Sequence, residues 1–161
     1  MATAVAAADT FPKLLAAHAR ERGLTNVHEH DLTEPWPITE KSARAVVLLD
    51  VIEHVPDPVS VLRACASLLK PGGRLFLSTL NRTPKAFAFG IVGAEYLLGL
   101  LPRGTHRYER FLRPSEIRRA LVALGFERIE FQGLRYNPFT RRAERNADLS
   151  INYLVAAARS C

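Results

Sequence analysis

The sequence has few cysteines and no long apolar run, and these two absences narrow the class of protein. Among 161 residues there are two cysteines, Cys65 and Cys161, which is too few for a disulfide framework or a cysteine-rich zinc site. We therefore expect the chain to work in a reducing compartment. No stretch reaches the ~18 uninterrupted apolar residues of a membrane-spanning helix, so no such helix is predicted.

Acidic residues are scarce in one part of the chain. Residues 1–102 carry ten basic and ten acidic side chains, whereas residues 103–145 carry eleven arginines against five glutamates, which accounts for the whole net charge of +6. A basic stretch suits an anionic partner such as a phospholipid surface, a nucleic acid or an acidic protein, and it also suits a solvated surface without a partner. Because no nucleic-acid-binding module is recognisable, nucleic-acid binding is not predicted.

The hydrophobic pattern predicts strands that alternate with helices. Strands are predicted at 26–30, 43–49, 74–79, 126–131 and 151–158, helices at 11–22, 59–69 and 114–124, and a strand or helix at 2–8. The valine-rich run 43–49 is typical of a strand that is buried on both faces. The order of elements predicts one α/β domain over residues 1–161, built on an open and mostly parallel sheet.

Three aspartates, Asp9, Asp31 and Asp50, stand at the carboxyl ends of predicted strands. Aspartate often follows a strand for reasons of turn geometry alone. The carboxyl ends of the strands are also where open α/β sheets bind their ligands, and the joint placement favours a ligand site. Glu53 and His54 follow Asp50 at spacings that place all three residues on one face of a helical turn.

Several segments make the chain resemble one family. They are DVIEHVPDP, LLKPGGRLFLSTLNR, IVGAEYLLGLLPRGTHRYERF, YNPF and INY. The chain resembles the S-adenosylmethionine-dependent O-methyltransferases of ubiquinone biosynthesis, from about residue 5 to residue 160. The resemblance implies a Rossmann-like class I methyltransferase sheet. It also implies methylation of a ring hydroxyl on a polyprenylated catechol or benzoquinol.

The resemblance assigns roles to six residues at or just after the strand ends. Asp9 matches the acid that holds the cofactor ribose, Asp31 lies on the adenine side, and Leu49 contacts the cofactor just before the acidic cluster. Asp50, Glu53 and His54 match a metal site of the form acid-x-x-Glu-His, which implies Mg²⁺ or a similar ion. The family usually has glutamate at the first position, and Asp50 is one methylene shorter.

The implied reaction needs a deprotonated hydroxyl that is aligned with the methyl group. A divalent ion chelated by both catechol oxygens would orient the ring and lower the pKa of the hydroxyl. Without an ion, His54 is the predicted general base, because imidazole titrates near neutral pH. His106, in the GTH sequence, is the second candidate for a catalytic base.

Residues 84–107 are predicted to form an insertion that faces a membrane. Residues 86–101 are apolar apart from Glu95 and have basic residues on both sides, which suits an interfacial helix and equally a helix packed on the sheet. The resemblance implies a membrane surface as a partner, together with other ubiquinone-biosynthesis proteins. It implies the matrix side of the inner mitochondrial membrane in a eukaryote, or a cytoplasmic, membrane-associated place in a bacterium.

The glycine-rich cofactor loop of the family is missing from the sequence. The nine glycines begin at Gly23, and the spacing from Asp9 to Leu49 fits the family's second and fourth strands. We therefore expect a domain truncated at its N-terminus, without its first strand and helix and with unpaired strand edges. Three alternatives would explain this truncation. The chain is a fragment of an active enzyme, or a truncation that pairs with another chain, or a non-catalytic relative that binds a quinone, a membrane or a partner.

Overall fold

The described part of the chain folds around a five-stranded sheet. The computed structural model describes residues 20–23, 34, 36, 38–89, 91–92, 104, 106–137, 140 and 142–160. The strands are β1 (Ala43–Leu49), β2 (Leu69–Leu80), β3 (Phe126–Asn137), β4 (Arg142–Asn146) and β5 (Asn152–Arg159). The helices are α1 (Pro58–Leu68), a short turn of helix at Pro84–Ala86, a 3₁₀ turn at Tyr108–Arg110, and α2 (Pro114–Ala123).

The predicted elements before residue 34 fall almost entirely outside the described residues. These are the predicted strand or helix at 2–8, the predicted strand at 26–30 and most of the predicted helix at 11–22. The last residues of that helix are described: Arg20 and Glu21 are helical. Gly23 adopts a φ of 80°, the left-handed conformation in which glycine commonly ends a helix.

The strands lie in the order β1-β2-β5-β3-β4. Strand β1 is parallel to β2, whereas the other three pairings are antiparallel. The prediction of a mostly parallel sheet is therefore wrong for the described residues, because the last strand returns between β2 and β3 and runs against both. Strand β4 was not predicted, because its sequence RAERN lacks an alternating apolar face.

Helix α1 begins and ends within one residue of its predicted span. The carboxylate of Asp57 caps its first turn and accepts hydrogen bonds from the backbone N–H groups of Val59 (3.0 Å) and Ser60 (3.3 Å). Pro58 occupies the first helical position, where its missing N–H costs nothing. Strand β2 begins directly after Leu68, although its regular pairing with β1 starts at Arg74, as predicted.

Helix α2 also follows its predicted span. Glu116 accepts a hydrogen bond from the backbone N–H of Arg113 at 2.8 Å through Oε2. Its other oxygen, Oε1, forms an ion pair with Arg82, which follows β2. The helix ends at Ala123, and Gly125 has the φ of 77° that suits a glycine at this end.

The core lies between the sheet and the two helices. Its most buried side chains are Ile52, Leu62, Leu69, Leu75, Leu77, Ile117, Leu121 and Tyr153. The hydroxyl of Tyr153 donates a hydrogen bond to the backbone oxygen of Leu112 at 2.7 Å. Cys65 is fully buried, and burial raises the pKa of its thiol to about 12, so it is an inert core residue.

Strand β1 is less covered than its sequence predicts. Leu48 is buried, but Val47 and Leu49 are 57% and 59% exposed. The strand pairs with β2 on one side, and no strand among the described residues lies on its other side. The prediction of burial on both faces is therefore wrong here. An apolar strand at an edge exposes what a neighbouring strand and its helices would cover.

Candidate active site

The carboxyl end of β1 is joined to β2 by a reciprocal pair of hydrogen bonds. The backbone N–H of Asp50 donates to Ser78 Oγ at 2.9 Å, and Ser78 Oγ donates to Asp50 Oδ1 at 2.7 Å. Asp50 has a φ of 51°, a conformation that aspartate tolerates better than most residues. The chain therefore turns sharply at Asp50, directly after the strand.

A single helical turn follows and carries the two predicted functional residues. The backbone N–H of His54 donates to the backbone oxygen of Val51 at 3.0 Å. Val51, Ile52 and Val55 are buried in the core and hold this turn against the sheet. Glu53 and His54 are thus placed by the packing of their apolar neighbours.

Glu53 is a carboxyl group held in an apolar setting. It is 3% exposed, its Oε2 accepts a hydrogen bond from Thr79 Oγ1 at 2.8 Å, and its buried Oε1 has no hydrogen-bond partner among the described residues. Burial, with a smaller contribution from the charge of Asp50, raises the pKa of Glu53 from 4.5 to about 7. Near neutral pH this group can therefore hold a proton or release it.

The two predicted catalytic histidines lie side by side. The ring centroids of His54 and His106 are 5.6 Å apart. The potential ligand atoms of Glu53, His54 and His106 all lie within 4.8 Å of one another, and within the described ranges this is the one cluster of such groups. The fold therefore brings His106 to the turn after β1 from a segment far downstream.

The other predicted site residues do not join the group of Glu53, His54 and His106 in the described structure. Asp9 and Asp31, the predicted cofactor-binding acids, lie outside the described residues. Leu49 is exposed at the carboxyl end of β1, and its cofactor role stays a prediction. Asp50, a predicted metal ligand, directs one carboxylate oxygen to Ser78 and is absent from the close group of three.

Two hydroxyl residues of the site were not singled out from the sequence. Ser78 bonds to Asp50, and Thr79 bonds to Glu53. Both lie near the carboxyl end of β2, where Leu49 pairs with Ser78. The sequence could have indicated Ser78 and Thr79, because polar residues at the carboxyl ends of two neighbouring parallel strands meet at the same edge of the sheet.

A groove in the described part of the chain lies elsewhere. It has a volume of 620 Å³ and runs along α1 beside Trp36 and Ile38. None of the predicted catalytic, cofactor or metal residues lines it. The chemistry-bearing side chains and this groove are therefore in different places in the described residues.

Comparison with known proteins identifies the class. The sequence matches the methyltransferase domain family over residues 4–130, and the chain belongs to this family. Its described fold is similar to a SAM-dependent methyltransferase of Thermotoga maritima, described as a possible histamine N-methyltransferase (TM-score 0.68, 16% identity, 92% of this chain and 70% of that one). It is also similar to the trans-methyltransferase CalH in complex with SAH (TM-score 0.64, 20% identity, 99% and 43%). The α/β, Rossmann-like methyltransferase fold predicted from the sequence is confirmed.

Closer relatives narrow the class. The chain is 46% identical over 149 residues to the ubiquinone biosynthesis O-methyltransferase of Leptothrix cholodnii, covering 91% of this chain and 63% of the relative. It is 54% identical over 112 residues to the protein of the same name in Marinobacter nauticus, covering 70% and 47%. The predicted resemblance is confirmed, and the chain spans less than two thirds of the length of these relatives.

Proposed function

We propose that this chain takes part in the O-methylation of a ring hydroxyl on a polyprenylated catechol or benzoquinol in ubiquinone biosynthesis, with S-adenosylmethionine as methyl donor. The observation that carries the proposal is the 46% identity, over 91% of the chain, to a ubiquinone biosynthesis O-methyltransferase. The cluster at the end of β1 supports it, because the reaction needs groups that take a proton from a phenol.

Without a bound ion, His54 and His106 are the groups that would accept the hydroxyl proton. Their rings are adjacent, so one imidazole can take the proton while the other orients the ring of the substrate. Glu53, beside them, has a pKa raised by burial to about 7 and can share in the proton transfer. Holding the phenolate in line with the methyl group is worth roughly 7–11 kcal/mol of the barrier.

The residues present fit a divalent ion. The buried Oε1 of Glu53 lacks a hydrogen-bond partner among the described residues, and imidazoles are common metal ligands. Glu53 and His54 would hold the ion, as the sequence predicts, with Asp50 as the predicted third ligand. When bound, such an ion supplies the positive charge that lowers the pKa of a catechol hydroxyl.

The start of the predicted insertion supports contact with a lipid surface. Phe87 and Phe89 are 44% and 62% exposed, whereas Ala86 and Ile91 beside them are buried. No helix in the described part of the chain is long and apolar enough to cross a membrane. We propose peripheral contact that brings the isoprenoid tail to the site. The place would be the inner mitochondrial membrane in a eukaryote and the cytoplasmic membrane in a bacterium, with other ubiquinone-biosynthesis proteins as partners.

Product formation by the chain itself tests the proposal. The purified chain is incubated with S-adenosylmethionine and a catechol that carries a short prenyl tail, and the methyl ether is measured by mass spectrometry. We expect product with the catechol and none with its dimethyl ether. His54→Gln should lower the rate by about 100-fold, whereas Glu130→Gln, on the exposed face of β3, should leave it unchanged.

Two outcomes decide against the proposal. The first is no product together with no calorimetric heat on adding S-adenosylmethionine, which would leave the non-catalytic alternative. The second is product that forms equally fast with the His54→Gln variant, which would show that this site takes no part in the reaction.

A further inference from the structure

The groove along α1 has an apolar floor and an acidic rim. The lining residues that are buried or half-buried are mostly apolar, and they include Trp36, Ile38 and Val61. The exposed lining residues include three acids, Glu34, Glu40 and Asp57. None of the described lining residues is a lysine or an arginine, although the chain has a net charge of +6. A surface that combines an apolar side chain with a positive charge would therefore complement this groove.

The side of the groove that α1 forms carries small side chains. Ser60, Ala64 and Ser67 all line it, and their spacings of four and three residues place them on one side of the helix. The distance at which two helices pack depends on the side chains between them, and small side chains allow a close approach. A second helix can therefore lie against this side of α1.

Helix α2 exposes a surface of the complementary kind. Arg119 and Val122 are both exposed, Val122 by 59%, and a spacing of three residues makes them neighbours on the helix surface. Arg119 forms no hydrogen bond or ion pair within the described residues, whereas the adjacent Arg118 donates a hydrogen bond to the backbone oxygen of Ile129 at 3.2 Å. Arg119 is thus available for a carboxylate of another molecule.

The groove helix α1 and helix α2 cover the same face of the sheet. Leu62 of α1 and Ile117 and Leu121 of α2 belong to one core cluster with Leu75 and Leu77 of β2. Two copies of the chain that face each other with this side can be related by a twofold axis. In such a dimer each copy offers its α2 and its groove at the same time, so the contact is made twice.

We propose that two copies of this chain form a twofold dimer in which α2 of each copy lies in the groove along α1 of the other. Val122 contacts the apolar floor, and Arg119 pairs with the acidic rim at Glu40. A second copy is the occupant that the charges favour, because the positive and apolar surface that the groove needs is present on the chain itself. None of the candidate catalytic residues lines the groove, so this inference does not rest on the proposed function.

Sedimentation velocity of the purified chain, from about 1 to about 100 µM, tests the dimer. We expect a dissociation constant of about 10 µM, as small interfaces give, and weaker association at high salt. Val122→Asp should raise this constant at least about 10-fold, because it places a charge in an apolar groove beside other acids.

Val47→Asp is the matched control. Val47 is 57% exposed, which is close to the exposure of Val122. It alternates along β1 with Leu48, which belongs to the core under the helices, so its side chain lies on the other face of the sheet. This variant should keep the dissociation constant within about threefold of the unchanged chain.

An exchange of charges tests which groups meet. Arg119→Glu and Glu40→Lys should each weaken the dimer at least about 10-fold. An equal mixture of the two variants should associate as the unchanged chain does, because opposite charges then face each other in both contacts. A loss of folding would not be repaired by mixing, and thermal melting followed by circular dichroism shows directly whether each variant folds.

Three results would overturn the proposal. The first is a mixture of the two charge variants that stays monomeric. The second is a dimer that is lost in Val47→Asp and kept in Val122→Asp, which would show association through the β1 side of the sheet. The third is an unchanged chain that stays monomeric at about 100 µM. If Ala64→Phe then lowers the melting temperature of that monomer, the groove is filled by residues of the same chain.

Discussion

The centre of the described sheet and its β1 edge differ in how well their side chains are covered. Strand β5 has a neighbour on each side, and its Tyr153, Val155 and Ala157 are at most 3% exposed. Strand β1 has one described neighbour and exposes Val47 and Leu49. The candidate site begins where β1 ends. The stability of the described fold and its chemistry thus reside in different parts of the sheet.

Truncation of an apolar side chain should separate the two regions most clearly. Leu77→Ala in β2, where the side chain is 1% exposed, should lower the free energy of unfolding by about 2–5 kcal/mol. Leu49→Ala at the β1 edge should change it by less than about 0.5 kcal/mol. Urea denaturation followed by circular dichroism measures both. Equal losses at the two positions would show that the β1 edge is as well covered as the centre.

Protonation of Glu53, at the β1 edge, should make the unfolding free energy depend on pH. Because the pKa of Glu53 is about 7 in the folded protein and 4.5 as its ordinary value, the folded state holds this proton more tightly than the unfolded state. Its stabilising contribution is full below pH 4.5 and is lost as the pH rises to about 7, a change of about 3 kcal/mol.

Glu53→Gln removes this titration, so the difference in unfolding free energy between the chain and the variant should depend on pH across that window. The measurement is urea denaturation in EDTA between pH 4.5 and 7.5. Glu130→Gln, exposed on β3, should run parallel to the unchanged chain. A constant difference between the chain and Glu53→Gln would contradict the raised pKa.

The smallest loss of stability among the substitutions of buried residues is expected from removing a single hydroxyl in β5, at the centre of the sheet. Tyr153→Phe keeps the buried ring but removes the hydrogen bond to the backbone oxygen of Leu112. Leaving that oxygen without its partner should cost about 1–2 kcal/mol. The same denaturation measurement checks it, and an unchanged stability would mean that water replaces the hydroxyl there.

Local signals in the sequence predicted the helices and β1 well. The predicted spans 59–69 and 114–124 lie within one residue of the observed α1 and α2, because helix ends depend on a few adjacent residues. The exposure of β1 and the existence of β4 were not predicted, since both depend on which strands become neighbours. Burial is a property of the assembled sheet and not of the segment.

The candidate site could be predicted in part. The spacing of Glu53 and His54 was enough to place them together on one turn. The approach of His106 depends on the path of a long connection, and the direction of Asp50 depends on a serine in the next strand. Neither could be derived from the residues near Asp50 alone.

Glu116 links the end of β2 to the start of α2, the helix that follows the predicted insertion. One oxygen of this side chain accepts the backbone N–H of Arg113, and the other pairs with Arg82 at the exit of β2. The two ends of the connection between β2 and α2 thus meet at one carboxylate. Loss of the Glu116 carboxylate would therefore release both of these ends at once.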